Sequence, residues 1–254
     1  MIYIVGAGPG AEDLITVRGV ELLKKADTII YAGSLVNPGL LKYAKDGCSI
    51  HDSAKMTLEE VISVMEKDDA PNKIIVRLHT GDPCIYGAIR EQMDILDSKG
   101  MEYEYVPGVS SFIGAASALK AEYTLPNVSQ TVILTRMAGR TPVPEKEEIE
   151  SLAAHQATMI IFLTSTMLKE LSNRLIEGGY SPDTPAAIVY KATWPDQKVI
   201  RTTVENIAVE AEKECINKMA LICVGNFLGD NYDRSKLYHP EFTHLFREGK
   251  QESE

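Results

Sequence analysis

Three short glycine-bearing segments hold the residue types of a ligand site. Gly6-Ala7-Gly8-Pro9-Gly10-Ala11 follows a short apolar run and fits the G-x-G-x-x-A spacing of a dinucleotide turn, where glycines let the backbone approach a pyrophosphate. Three features argue against that chemistry. Pro9 has no N–H to offer a phosphate. The apolar period of the next helix begins only near Val17, so its N-terminus is not where the phosphates would sit. The acid expected about 20 residues further on is missing, because the second strand ends in Tyr31-Ala32-Gly33. A tight strand-to-loop turn is the plainer reading.

The second segment is Thr80-Gly81-Asp82-Pro83-Cys84-Ile85-Tyr86-Gly87, set between an apolar strand and a helical pattern. Gly81 leaves room for a ligand against the backbone and Gly87 lets a helix pack closely. Asp82 is placed to cap that helix, a role compatible with ligand contact. His79, Asp82 and Cys84 are metal-ligating types, but no further His/Cys cluster accompanies them and no base stands beside Cys84. No metal site is expected. The third segment, Val106-Pro107-Gly108-Val109-Ser110-Ser111, again reads strand, turn, helix, with Ser110 or Ser111 able to serve as N-cap. Loops of this kind converge at the carboxyl edge of an α/β sheet, where ligands bind.

The surrounding pattern supplies such a sheet. Strand-like runs at residues 2–6, 28–31, 73–78 and 102–106 alternate with helical periods at 17–26, 57–65, 85–96 and 109–119. Thr57 and Glu60 form a capping-box pair. The second half repeats the alternation, with strands at 131–135, 159–163, 186–190, 198–203 and 219–224 and helices at 145–154, 166–176 and 204–214. Pro195-Asp196 marks a hairpin. The class is α/β. The break at Tyr123-Thr124-Leu125-Pro126-Asn127 divides it into two α/β domains, 1–122 and 127–254, with an irregular tail after about residue 226.

Of 254 residues, 44% are hydrophobic and 24% charged, and the net charge is −10. Both halves are acidic, so a general nucleic-acid partner is not expected. A local cation cluster for an anionic small molecule remains compatible with that balance. No apolar run approaches the roughly 20 residues of a membrane span, and Met1–Gly6 has no basic leader region. Four cysteines without a C-x-x-C pair fit a reducing, cytoplasmic setting.

Taken in order, G-A-G-P-G, G-D-P-x-x-Y-G and V-P-G-V-S-S resemble the tetrapyrrole methylases, which use S-adenosylmethionine (SAM). The resemblance covers nearly the whole chain. Later segments resemble the precorrin-4 C11-methyltransferase branch: Thr131-Val132-Ile133-Leu134-Thr135-Arg136 with Gly139-Arg140-Thr141-Pro142-Val143-Pro144-Glu145, Tyr190-Lys191-Ala192-Thr193-Trp194-Pro195-Asp196, and the tail Tyr232-Asp233-Arg234-Ser235-Lys236-Leu237-Tyr238. The resemblance implies a SAM-binding cleft between two α/β domains, a homodimer, and methyl transfer to C11 of precorrin-4 or cobalt-precorrin-4. By matching motifs it implies SAM contacts from Pro9, Thr80, Gly81, Asp82, Ile85, Ser110 and Ser111, with Leu163, Ala192 and Ala220 enclosing the adenosine. Relatives that methylate uroporphyrinogen carry an acid in Y-D-x-L-V, where this chain has Tyr31-Ala32-Gly33-Ser34-Leu35-Val36, so no general base is assigned.

A polycarboxylate macrocycle needs cations. Arg136, Arg140 and Lys191 are the candidates within the branch-specific segments, followed by Lys198 and Arg201. Solvated surface charge is the alternative for each. Another tetrapyrrole-methylase-fold enzyme, of a different ring position or diphthine-synthase-like, is the nearer competing function. A non-catalytic nucleotide-binding module is the distant one.

Overall fold

The computed structural model describes residues 1–249. The chain divides into two compact units, one of Met1–Ala118 with Lys191–Lys198, the other of Leu119–Tyr190 with the residues from Val199 onward. The sequence break at residues 123–127 therefore lies inside the second unit, and an eight-residue piece of the K-A-T-W-P-D region belongs to the first.

The first unit has a five-stranded sheet of β1 (Ile2–Gly6), β2 (Thr28–Tyr31), β3 (Ser49–Asp52), β4 (Ile75–His79) and β5 (Tyr103–Val106), in the order β3-β2-β4-β1-β5. Every pair is parallel. Its helices are α1 (Val17–Lys25), α2 (Leu58–Asp68), α3 (Arg90–Ser98) and α4 (Ser111–Leu119). The strands alternate between two cores. Val5, Ile29, Val76 and Leu78 pack with Leu22 and Leu23 of α1 on one face. Ile2, Ile30 and Ile75 pack with Val61, Ile62 and Met65 of α2 and Leu96 of α3 on the other. This two-sided burial explains the near-continuous apolar run of β4. Thr16 caps α1 by accepting the Gly19 N–H. Thr57 and Glu60 complete the capping box of α2, worth about 1 kcal/mol for the Thr57 cap alone.

The second unit has β6 (Val132–Arg136), β7 (Thr158–Phe162), β8 (Pro185–Tyr190), β9 (Lys198–Thr203) and β10 (Ala220–Val224), in the order β6-β7-β10-β8-β9. β6 and β7 are parallel, whereas β10 runs antiparallel to both its neighbours. Helices α5 (Ile149–Ala153), α6 (Leu168–Glu177) and α7 (Ile207–Lys213) bury Ile149, Leu171, Leu175 and Ile207 against Met159, Ile161, Ile188 and Ile222.

Three expected helices are shorter than their periodicity. The pattern at 145–154 yields a 3-10 turn and then α5, because Glu148 is extended at ψ 150°. The pattern at 204–214 likewise opens with a 3-10 turn at Val204–Asn206. The pattern at 85–96 becomes helical only at Arg90, because Tyr86 and Ala88 adopt left-handed φ of +55° and +47°. In the tail, Arg247 donates to the carbonyls of Leu237, His239 and Phe242 and gathers an otherwise irregular segment. No helix among the described residues is long and apolar enough to cross a membrane.

Candidate functional site

β4, β1 and β5 are parallel neighbours, so the loops that follow them leave the first sheet at one edge. There the three glycine-bearing segments meet. Gly8 N–H donates to Gly81 O at 3.2 Å and Gly81 N–H donates back to Gly8 O at 2.8 Å. A Cβ on Gly6 would stand 2.6 Å from Gly108 Cα, and one on Gly108 would stand 2.4 Å from Gly81 O. These are backbone crossings that admit no side chain. Gly81 has φ +57°, and a Cβ there would lie 3.3 Å from the Ser111 amide nitrogen. The Thr80-Gly81 backbone thus lies against the start of α4, with Ser110 buried and Ser111 half-buried beside it.

Asp82 is the electrostatic centre of this edge. Its Oδ1 accepts the Cys84 N–H at 2.8 Å and the Tyr105 hydroxyl at 2.5 Å, while its Oδ2 accepts the Gly108 N–H at 2.7 Å. Burial pushes the carboxyl pKa up, but the hydrogen bonds from Cys84, Tyr105 and Gly108 outweigh it and hold the group below its ordinary range. The expected helix-capping role is corrected: Cys84 is in a turn, α3 starts eight residues after Asp82, and the carboxylate joins two loops instead.

These loops suit one kind of ligand and not another. Residues 6–11, 80–89 and 107–113 contain no Lys or Arg. Three amide groups of the first loop are already taken: Ala7 N–H by His79 O, Gly8 N–H by Gly81 O, and Ala11 N–H by Thr193 Oγ1. An anionic diphosphate finds no cationic side chain and none of these three amides, whereas a cationic group meets carbonyls, hydroxyls and the ionised Asp82. Just below, His79 is buried and its Nε2 has no partner. Burial, then the neighbouring Arg77 guanidinium, push its pKa down to about 3, so the ring is neutral.

The sequence model of the tetrapyrrole (corrin/porphyrin) methylases matches residues 1–208. The chain belongs to this family. Relatives of this methylase include the cobalt-precorrin-4 C(11)-methyltransferase of Methanocaldococcus jannaschii, 53% identical over 97% of this chain and 95% of that one. The precorrin-4 C(11)-methyltransferase of Mycobacterium tuberculosis is 43% identical over 93% and 95%. The X-ray structure of a cobalamin biosynthetic enzyme, cobalt precorrin-4 methyltransferase, matches with a TM-score of 0.88 at 48% identity, covering 90% of this chain and 96% of that chain.

The methylase brings its remaining expected residues to two places. Pro9 is buried beside the other loops. In the second unit, Arg136 ends β6, Leu163 follows β7, and Ala220 opens β10 opposite Tyr190, so all three stand at one edge of that sheet. Ser165 Oγ donates to Ala220 O at 3.3 Å there. Leu163 is 67% exposed with a left-handed φ of +53°, while Ala192 and Ala220 are each 7% exposed. Ile85 is half-buried in the turn after Asp82.

The expected cations differ in their surroundings. Arg136 donates from Nη1 to Met137 O and Thr141 O, at 3.3 and 3.1 Å, and from Nη2 to Pro142 O at 2.8 Å, closing its own loop. Arg201 reaches the carbonyls of Leu228 and Leu119. Lys191 pairs with Asp196 at 2.6 Å and lies 5.2 Å from the Trp194 ring centre. Arg140 and Lys198 are exposed.

Two features escaped the sequence reading. Tyr105 is one, for nothing in the alternation of β5 marks its hydroxyl as the partner of Asp82. The other is Thr193 with Trp194, which hold the Pro9 loop: Thr193 Oγ1 accepts Ala11 N–H at 3.0 Å, and Trp194 Nε1–H donates to Pro9 O at 3.2 Å. The one available signal was that the chain's single tryptophan falls in a branch-specific segment.

Proposed function

We propose that the methylase transfers a methyl group from SAM to C11 of cobalt-precorrin-4, within cobalamin biosynthesis. The observation that carries this reading is identity of 53% over nearly the full length to an enzyme named for that substrate, against 43% for the relative named for the cobalt-free one.

When bound, SAM supplies an activated methyl on a cationic sulfonium. The chain's residues hold and orient. Pro9, Thr80, Gly81, Ile85, Ser110 and Ser111 form the donor surface of the first unit. Asp82 fixes the loops that present them and places a negative charge nearby. Leu163, Ala192 and Ala220 are assigned to the adenosine portion. Orientation is the main source of rate, because the methyl is already activated and the carbon nucleophile belongs to the substrate. Arg140 and Lys191 are assigned to substrate carboxylates. Arg136 is assigned there through its loop, which its guanidinium closes. No residue is assigned as general base. A cytoplasmic homodimer completes the reading.

Incubation with SAM and cobalt-precorrin-4 tests it. One S-adenosylhomocysteine formed per macrocycle is the expected result. No S-adenosylhomocysteine from either precorrin-4 or its cobalt form would overturn it.

A further inference from the structure

Residues 191–194 make a strained turn whose polar groups reach the loop that carries Pro9. Lys191 has φ +45° and Thr193 φ +70°. The left-handed region is a genuine outlier for a β-branched residue, because the branched Cβ crowds the backbone. Such strain persists only where surrounding contacts over-determine it, and it gathers at ligand clamps. Three contacts do so here. Thr193 N–H donates to Gln197 Oε1 at 2.6 Å. Thr193 Oγ1 accepts the Ala11 N–H, and Trp194 Nε1–H donates to the Pro9 carbonyl. The indole lies so close on Gly10 that a Cβ there would stand 2.0 Å from its Cδ1. Gly114 of α4 leaves room for both partners, since its Cβ would stand 2.8 Å from Pro9 Cβ and 3.2 Å from Thr193 Cγ2.

Two of the backbone polar groups downstream of Pro9, its own carbonyl and the Ala11 amide, are thus held by side chains more than 180 residues away, while Asn37 Nδ2–H donates to the Gly10 carbonyl between them at 2.8 Å. A hairpin turn has no need of this arrangement. Gly or Asn at 193 would adopt the same φ without strain. What threonine adds is an acceptor for Ala11.

We propose that Thr193 and Trp194 are positioning residues for the methyl donor: they fix the Pro9 loop in the shape the donor meets, and so set donor affinity without touching substrate affinity. The inference rests on the reading of these loops as the SAM surface. Strain is retained at Thr193 because the hydroxyl is needed there.

The experiment measures S-adenosylhomocysteine affinity by calorimetry, KM for SAM and for the corrin precursor, and the thermal midpoint. The variants are Thr193→Val, Thr193→Gly, Thr193→Ser and Trp194→Phe. Val and Gly lose the acceptor, and Phe loses the indole donor while keeping a ring on Gly10. Each is expected to raise the S-adenosylhomocysteine Kd and the SAM KM roughly tenfold, the ordinary worth of a lost buried hydrogen bond. The precursor KM stays put. Ser keeps the hydroxyl and is expected to stay within about threefold of wild type. Thr193→Gly melts within a few degrees of wild type because it sheds the strain, which a purely structural role would not allow together with lost affinity. Trp194 is the only tryptophan, so its emission is expected to change saturably as S-adenosylhomocysteine is added to wild type. If wild type binds the product while Val, Gly and Phe bind it equally well, the positioning role is overturned and the donor site stands. If wild type binds neither SAM nor its product, the donor site fails and this inference with it.

Discussion

The Asp82 carboxylate accepts the Gly108 N–H at 2.7 Å and so ties the loop after β4 to the loop after β5. With the Tyr105 hydroxyl and the Cys84 amide it has three donors and no remaining role as a helix cap. Asp82→Asn turns one acceptor into a donor that must face a donor. A loss of about 1–3 kcal/mol is expected, read as a lowered thermal midpoint together with weaker S-adenosylhomocysteine binding.

The same carboxylate gives an acid limb to stability. Its folded pKa is lowered, so its contribution is full above the unfolded carboxylate value of about 3.9 and is lost as pH falls through the lower folded value. Below about pH 4 the wild type should lose stability more steeply than Asp82→Asn. Urea denaturation across that range checks it, and parallel slopes would contradict it.

His79 acts over a higher window. Its folded pKa is about 3, against about 6.5 unfolded. Between those values the unfolded chain holds more protons, so stability falls as pH drops, by up to about 1.4 kcal/mol per pH unit. Because Nε2 is buried without a partner, His79→Leu should be close to neutral at pH 7 and should flatten stability between about pH 6 and 4. An unchanged slope would show that another group titrates there.

The glycines should rank by what their Cβ would meet. Gly6→Ala drives a carbon to 2.6 Å from Gly108 Cα and 2.7 Å from Gly81 O, and neither backbone can yield. Loss of folded protein is expected. Gly81→Ala meets Ser111 N at 3.3 Å and adopts φ +57°, costing about 1–2 kcal/mol. It should fold, melt a few degrees lower and bind S-adenosylhomocysteine less tightly.

Arg136 and Arg140 should separate. Arg140 is exposed, so Arg140→Ala should raise the precursor KM roughly tenfold at low salt with an unchanged thermal midpoint. Arg136→Ala removes contacts to three loop carbonyls and should lower stability as well. Equal precursor KM in Arg140→Ala and wild type at low and high salt would make Arg140 a surface charge.

What the sequence disclosed follows from the range of each interaction. The Thr57–Glu60 capping box and the buried run of β4 are local signals, written in neighbouring residues. The convergence of the three loops was legible because parallel strands must release their loops at one edge. β3 was not, because Ser49-Ile50-His51-Asp52 is a mostly exposed strand with one aliphatic residue. The late start of α3 was hidden because left-handed Tyr86 and Ala88 leave no mark on the apolar period. Asp82 was found as a site residue, but its partners Tyr105 and Gly108 are set by sheet order, and Thr193 and Trp194 meet residues 9–11 only through the tertiary fold.

The most direct measurement is the position of the transferred carbon. The methylase would be incubated with SAM labelled by carbon-13 in the methyl group, once with cobalt-precorrin-4 and once with precorrin-4, and the product examined by NMR. One labelled methyl on C11, formed faster with the cobalt substrate, is the predicted result. A label on another ring carbon, or none from either macrocycle, would contradict the account.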